Sequence, residues 1–450
     1  MENNKFTLVD ANGQTIQVDE SAFEMVNVSN KIHDQKFETK VTTFAKDAFK
    51  RFCKNKSSVV AAIIIGLLIL LAIVLPLALP YDVESSHPSE VELPAKLFNA
   101  GTGFWDGTKS YENIPCDENG NLLSSSLLEQ AIVSKSEPYY NESSDRYEID
   151  IVYDVYEATY GNIVKNINLY EIEAYARNGL LDYDPETGEV SNISPDCPII
   201  EIISHSGTTF TSMVCMYKYY GYSSMPRFLF GTTTNGNDFF KYTMVGLRTS
   251  LLLAFVIAAI CFTIGIVWGS ISGYFGGNVD LIMERITDIL SGVPYIVVVT
   301  LCVLHLGHSL WVFILALCMT DWIGTSSRTR TQFYRFKGRE YVLAARTLGA
   351  SDKRLIFRHI LPNSLGTIVT SSVLLIPSVI FSESTLSYLG LGISDGISFG
   401  RILSDNQSKL STNPILVMFP AVILALLMIS FNLFGNGLRD ALNPSLKGSE

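Results

Sequence analysis

The chain has 450 residues, enough for about three soluble domains by length alone. Its mean hydropathy of +0.25, with 17% charged residues and the apolar ones gathered into long runs, excludes that arrangement and points to a polytopic membrane protein. The net charge of −11 is uneven: residues 81–240 hold 25 acidic and 8 basic side chains, a net of −17, which leaves about +6 for the rest and says nothing of nucleic acid.

Residues 1–42 read as a cytoplasmic N-terminal extension, either small and folded or disordered. Residues 43–80 combine an interfacial helix with the first span. Phe44, Phe49 and Phe52 interleave with Lys46, Lys50 and Arg51, as in a helix lying on a membrane surface. Val59 to Leu79 is 21 residues without a charge, which at about 1.5 Å per residue crosses a hydrocarbon core of about 30 Å. The run is too long for a signal peptide, and a long polar segment precedes it. Lys46, Lys50, Arg51, Lys54 and Lys56 crowd its start and place the N-terminus in the cytoplasm.

Residues 81–240 then lie outside as an inserted domain. Tyr147, Ile149, Ile151, Tyr153 and Val155 alternate with Glu148, Asp150 and Asp154, a strand pattern. Asp184-Pro185-Glu186-Thr187-Gly188 is a turn, and Ser126 to Val133 and Ile167 to Tyr175 read as short helices, so a small α+β domain is expected. Cys116, Cys197 and Cys215 fall here. Their odd number permits at most one internal disulfide, with Cys197–Cys215 preferred, and no C-x2-C pair suggests a metal site. Cys53, Cys261, Cys302 and Cys318 lie in or beside apolar helices as small hydrophobes.

Residues 241–436 hold five further spans: Leu251 to Ser272, Ile286 to Leu306, Leu310 to Ser326, Leu365 to Leu389 and Ile415 to Leu433. Gly265, Gly269 and Gly273 recur every four residues and suit close helix packing. Glu383 is the one acid well inside a span, where an ionisable residue faces an interior cavity or a hydrogen-bonded structural site. Glu383 and Arg248 are the candidates for a pore-lining or structural role. His305 and His308 stand near the outer surface, Gly390 to Asn413 forms an outer loop, and the tail 437–450 is cytoplasmic.

The loop 327–363 carries Arg328, Arg330, Arg335, Lys337, Arg339, Arg346, Lys353, Arg354 and Arg358 against Glu340 and Asp352, so it is cytoplasmic, in agreement with the N-terminus. Glu340 to Thr347 forms a helix, Gly349 ends it, Ser351 caps a second and Pro362 stops that one. Two short helices at an angle make a knob that can enter a cleft on a partner, and Ala344 and Ala345 keep one face small.

That segment resembles the loop by which binding-protein-dependent ABC permeases dock on their ATPase subunits: Glu-Ala-Ala, three residues, Gly, nine residues, Ile-x-Leu-Pro. Ala344, Ala345, Gly349, Leu361 and Pro362 match in register. Leu343 stands where Glu is usual, with Glu340 one turn earlier, and His359 stands where Ile is usual. Arg358-His359-Ile360-Leu361-Pro362-Asn363 is typical of the peptide and nickel branch. Phe230-Gly231 to Asp238, Gly246-Leu247-Arg248-Thr249-Ser250-Leu251, Tyr274 to Asp288, Glu383 to Gly392 and Asn432 to Asp440 also match that branch, with Thr233 for its Asp and Asn237 for its Arg.

The resemblance implies an all-α polytopic permease of six transmembrane helices, here with an extracytoplasmic α+β insert. It implies half of a pore for short peptides beside a second homologous permease subunit, two ATP-binding subunits and an outer solute-binding protein. The alternatives are a permease for nickel chelates or another small solute, and, from a different class, a membrane-anchored receptor using the outer domain. No G-x-x-x-x-G-K-[ST] loop and no nucleophile–base pair occur, so a transport subunit that is not itself an enzyme, with no cofactor and no metal, is expected.

Overall fold

The computed structural model describes residues 5–9, 15–19, 44–81, 83, 86–103, 105–123, 127–394 and 396–442. Strands β1 (Lys5–Val9) and β2 (Thr15–Asp19) pair antiparallel, with Leu8 opposite Ile16. They belong to a first unit, Met1–Lys50, and Arg51–Glu450 forms the second. The rest of the expected extension lies outside the described residues.

Helix α1 (Phe44–Lys54) takes the Phe/Lys pattern, and Asn55 begins α2 (Lys56–Ala78) by accepting from Ser58 N. The chain then enters the insert. Here β3 (Thr108–Pro115), β4 (Ile132–Lys135), β5 (Tyr139–Asn141) and β6 (Arg146–Asp154) form an antiparallel sheet in which β6 is the centre, paired with each of the others. The alternation in β6 buries Ile149, Ile151 and Tyr153 against Cys116 and Ala131. Glu148 ties down the β5–β6 hairpin. It accepts from Ser144 Oγ and Asn141 Nδ2 at 2.6 Å each and from Arg146 Nε at 2.9 Å, which holds its carboxyl near 2.

Asp154 caps α3 (Val155–Tyr160), accepting from the Tyr156 and Glu157 amides. Then follow β7 (Asn162–Asn168), α4 (Leu169–Arg177), β8 (Asp182–Tyr183), β9 (Val190–Ser191), β10 (Ile199–Ser206), β11 (Thr209–Cys215) and the short α5 (Met216–Tyr219). The order β10-β11-β7 makes a second sheet, with Ile167, Ile172, Phe210 and Val214 in its core.

Several expectations change here. Ser126 to Val133 is not a helix: Glu129–Ala131 is a single 3-10 turn leading into β4, and residues 124–126 lie outside the described set. The second expected helix starts at Leu169, because Asn168 and Glu171 form a capping box there and the residues before it alternate as β7. Cys197 and Cys215 are both buried free thiols. Ile199 pairs with Val214, and Cys215 N bonds Pro198 O, so the two cysteines are offset across the ladder.

The helical part begins with α6 (Phe239–Phe275), followed by α7 (Gly277–Ser291), α8 (Tyr295–Leu306), α9 (Leu310–Cys318), α10 (Trp322–Phe336), α11 (Glu340–Thr347), α12 (Asp352–Arg354), α13 (Leu361–Ser372), α14 (Leu375–Tyr388), α15 (Phe399–Asn406) and α16 (Ile415–Leu442). Among the described residues, five helical runs are long and apolar enough to cross a membrane, and six if the bent pair α7–α8 counts as one span. That pair bends by 72° at Gly292–Pro294, so the third expected span is broken and starts earlier, at Gly277. The loop Gly390 to Asn413 contains α15, whose Ser398 accepts from Arg401 N.

The insert is held at one end of these helices. Leu93 N donates to Thr232 Oγ1 at 2.8 Å, Lys241 Nζ to Leu79 O at 2.8 Å and Tyr81 O at 2.5 Å, and Lys409 Nζ lies 2.6 Å from Glu92 Oε1.

Candidate functional site

The basic loop 327–363 continues from α10 and packs against the far end of α6. Tyr274, its last full turn, donates its hydroxyl to Asp352 Oδ1 at 2.5 Å and receives Arg346 NH2 at 3.3 Å. Tyr274, Phe333, Val342, Leu355, Ile356 and Ile360 make a small core of their own beneath the loop. Gly349 sits at φ +81° with nothing within 4 Å of the position a Cβ would take, so it is required for its backbone angle and not for space.

Ser351 occupies the cap position of α12 without a side-chain bond, so that part of the sequence expectation fails. Pro362 does not stop the second helix either. The helix widens to a π turn at Leu355–Ile360, Leu361 N bonds Ile356 O, and Pro362 falls in the first turn of α13, where a missing N–H is tolerated. One helical run, Asp352–Tyr388, therefore leads from the loop into the membrane segment. Ala345 and Leu361 turn partly inward against the small core, whereas Glu340, Leu343, Ala344, Leu348 and Pro362 are exposed and His359 is half-buried.

A second cluster braces this end, and sequence reasoning missed it. Asp280 of α7 accepts from Arg330 Nε and NH2 at 2.6 Å each, from Tyr334 Oη at 2.7 Å and from Ser272 Oγ. The bidentate pair joins α6, α7 and α10. Its partners are 50 residues apart, so only the position of Asp280 just after Gly276-Gly277 hinted at it. The glycine spacing on α6 does what it promised: Gly265, Gly269 and Gly273 each meet α10 so closely that an added Cβ would lie 2.6, 2.2 and 2.7 Å from its atoms.

Glu383 is wholly buried, with 0% exposure. Ser250 Oγ donates to its Oε2 at 3.1 Å, Ser387 Oγ to its Oε1 at 3.0 Å, and Phe399 N donates in turn to Ser250 Oγ at 3.0 Å, so the carboxyl links α6, α14 and α15. Arg248 is separate. It lines a cavity of about 720 Å³ at the insert end, together with Lys241, Tyr81, Asn237 and Arg401. Asp238 closes the start of α6 by accepting from Phe240 N and Lys241 N, and burial pushes its carboxyl up to about 6. Among the described residues no group of His, Cys, Asp and Glu could hold a metal ion.

Residues 265–448 match the family described as the binding-protein-dependent transport system inner membrane component, and residues 43–95 match the N-terminal TM domain of oligopeptide transport permease C. The oligopeptide transport system permease protein OppC of Bacillus subtilis is 43% identical over 219 residues, covering 48% of this chain and 72% of the relative. The chain belongs to the family of binding-protein-dependent transport permeases. The dipeptide transport system permease proteins DppC of Bacillus subtilis and Lactococcus lactis are 42% and 39% identical over 220 and 230 residues, covering 48% and 51% of this permease and 69% and 67% of the relatives. A chain from inward-facing structures of a methionine ABC transporter aligns with 45% of this permease and 96% of its own length, at a TM-score of 0.37 and 16% identity. The permease is thus a multi-pass membrane protein, and its residues 96–264 fall outside both family matches.

Proposed function

We propose that this permease forms half of the pore of an ATP-driven importer of short peptides, beside a second homologous permease. Residues 327–363 dock it on ATPase subunits in the cytoplasm, the insert lies outside near a solute-binding protein, and both termini are cytoplasmic. The observation that carries the reading is the loop, a preformed knob braced on Tyr274 and Asp280 and continuous with a membrane helix. The names of its oligopeptide and dipeptide relatives supply the substrate class. The basic loop and the acidic insert sit at opposite ends of α6, as charge-directed topology requires.

Copurification with the tagged chain should recover two ATPase subunits and a second permease, and ATP should drive radiolabelled tripeptide uptake in proteoliposomes of that complex. A chain that purifies alone and moves no peptide would leave the receptor reading instead. A single cysteine at Ser143, with the native cysteines removed, should react with an impermeant maleimide on intact cells. Reaction only after permeabilisation would reverse the topology.

Glu383 serves as a structural tie in this reading. Glu383→Gln replaces one of its two accepting oxygens with an amide NH2 that faces a serine hydroxyl, and should cost about 1–3 kcal/mol. Complex yield and uptake should fall together. Normal yield with reduced uptake would place Glu383 at the pore.

A further inference from the structure

We propose that the insert carries its own binding site for a short zwitterionic peptide, in the cavity between α3 and the turn at residues 222–227. The ligand class rests on the peptide-importer reading, but the site's charged and polar groups, Lys96 to Arg227, fall within residues 96–264, outside both family matches.

The cavity holds about 740 Å³, within the roughly 300–1,000 Å³ usual for small-ligand sites. One wall is a finished ion pair. Lys96 Nζ lies 3.1 and 3.0 Å from the two carboxylate oxygens of Asp154, and Asp154 also caps α3, so neither group has much left to offer a ligand. The other two charged lining groups are Glu157 and Arg227, and among the described residues neither side chain has an ion pair or hydrogen bond. An uncommitted carboxylate and an uncommitted guanidinium facing one cavity match the two termini of a peptide: Glu157 accepts from the ammonium, and Arg227 donates in bidentate fashion to the carboxylate.

The polar groups of Asn99 and Ser224 line the space between, where peptide amides need partners. Among the described residues the four charged side chains of the lining sum to zero, which suits a ligand that carries both charges. Tyr81 lines this cavity and also the 720 Å³ cavity that Arg248 lines, so a peptide held here is one side chain away from the mouth of the permease helices.

Equilibrium dialysis of trialanine against the purified complex, without nucleotide or binding protein, tests the site. Wild type should bind trialanine and lose about tenfold in affinity when either the N-terminus is acetylated or the C-terminus amidated. Glu157→Gln should bind trialanine about tenfold more weakly and become indifferent to acetylation, and Arg227→Gln should become indifferent to amidation. That residue-by-terminus pattern cannot arise from misfolding, and recovery of the intact complex checks each variant. No binding by wild type, or variants that keep wild-type affinity and discrimination, overturns the site. ATP-driven uptake of trialanine is followed in parallel. Terminus-dependent binding without uptake supports the site and removes the importer reading. Uptake with binding insensitive to both substitutions removes the site and keeps the importer.

Discussion

Leu348→Asp should strip the ATPases from the complex while leaving the permease in the membrane. Leu348 ends α11 with 88% of its surface exposed, and Leu343 and Tyr341 stand exposed beside it. An apolar tip on a braced knob is the group a partner cleft buries. Burying a leucine is worth about 1.5–3 kcal/mol, and an unpaired carboxylate in its place adds a further penalty. ATPase recovery in a pull-down should therefore drop by about tenfold or more. Gly349→Val should act through the backbone alone, since φ +81° costs a side-chain residue about 1–2 kcal/mol while nothing crowds its Cβ. Ala345 makes a poorer probe, because it packs on the loop's own core. Full ATPase recovery and normal uptake in both Leu348→Asp and Gly349→Val would mean that coupling runs through another element.

Gly269→Val should abolish the folded permease. Its Cβ would lie 2.2 Å from Ser326 O and 3.0 Å from Arg330 N, backbone atoms of α10 that no rotamer change can move. Overpacking typically costs about 1–3 kcal/mol, and here the whole seam must separate. Detergent extraction should yield little monodisperse protein. Gly66→Val in α2, where nothing lies within 4 Å, should extract like wild type. Equal recovery of both variants would show that α6 and α10 do not meet along this seam.

The parts legible in the sequence were those governed by local composition. A charge-free run such as Val59 to Leu79 announces a span by itself, and the β6 alternation announces a strand. Gly349 was readable because a helix end demands a left-handed angle. The failures were cases in which distant packing overrides a local signal. Pro362 looks like a stop, yet a π turn lets the helix run through it. Ser126 to Val133 looks helical, yet β6 recruits Ile132 to Lys135 as a strand. The Asp280–Arg330 pair and the Glu383 tie depend on which helices meet, and periodicity along one segment does not encode that.

Helix α6 runs 37 residues without a proline, about 55 Å from end to end. Lys241 fastens one extremity to the backbone of Leu79 and Tyr81, and Tyr274 fastens the other to Asp352. A rod clamped at both extremities acts as a lever. Its glycine seam on α10, Gly265 to Gly273, lies next to the Tyr274 end, so a tilt of the rod about that seam would swing the Lys241 end through the wider arc. Any coupling between a ligand at the Lys241 end and a partner at the Tyr274 end would have to be equal in both senses.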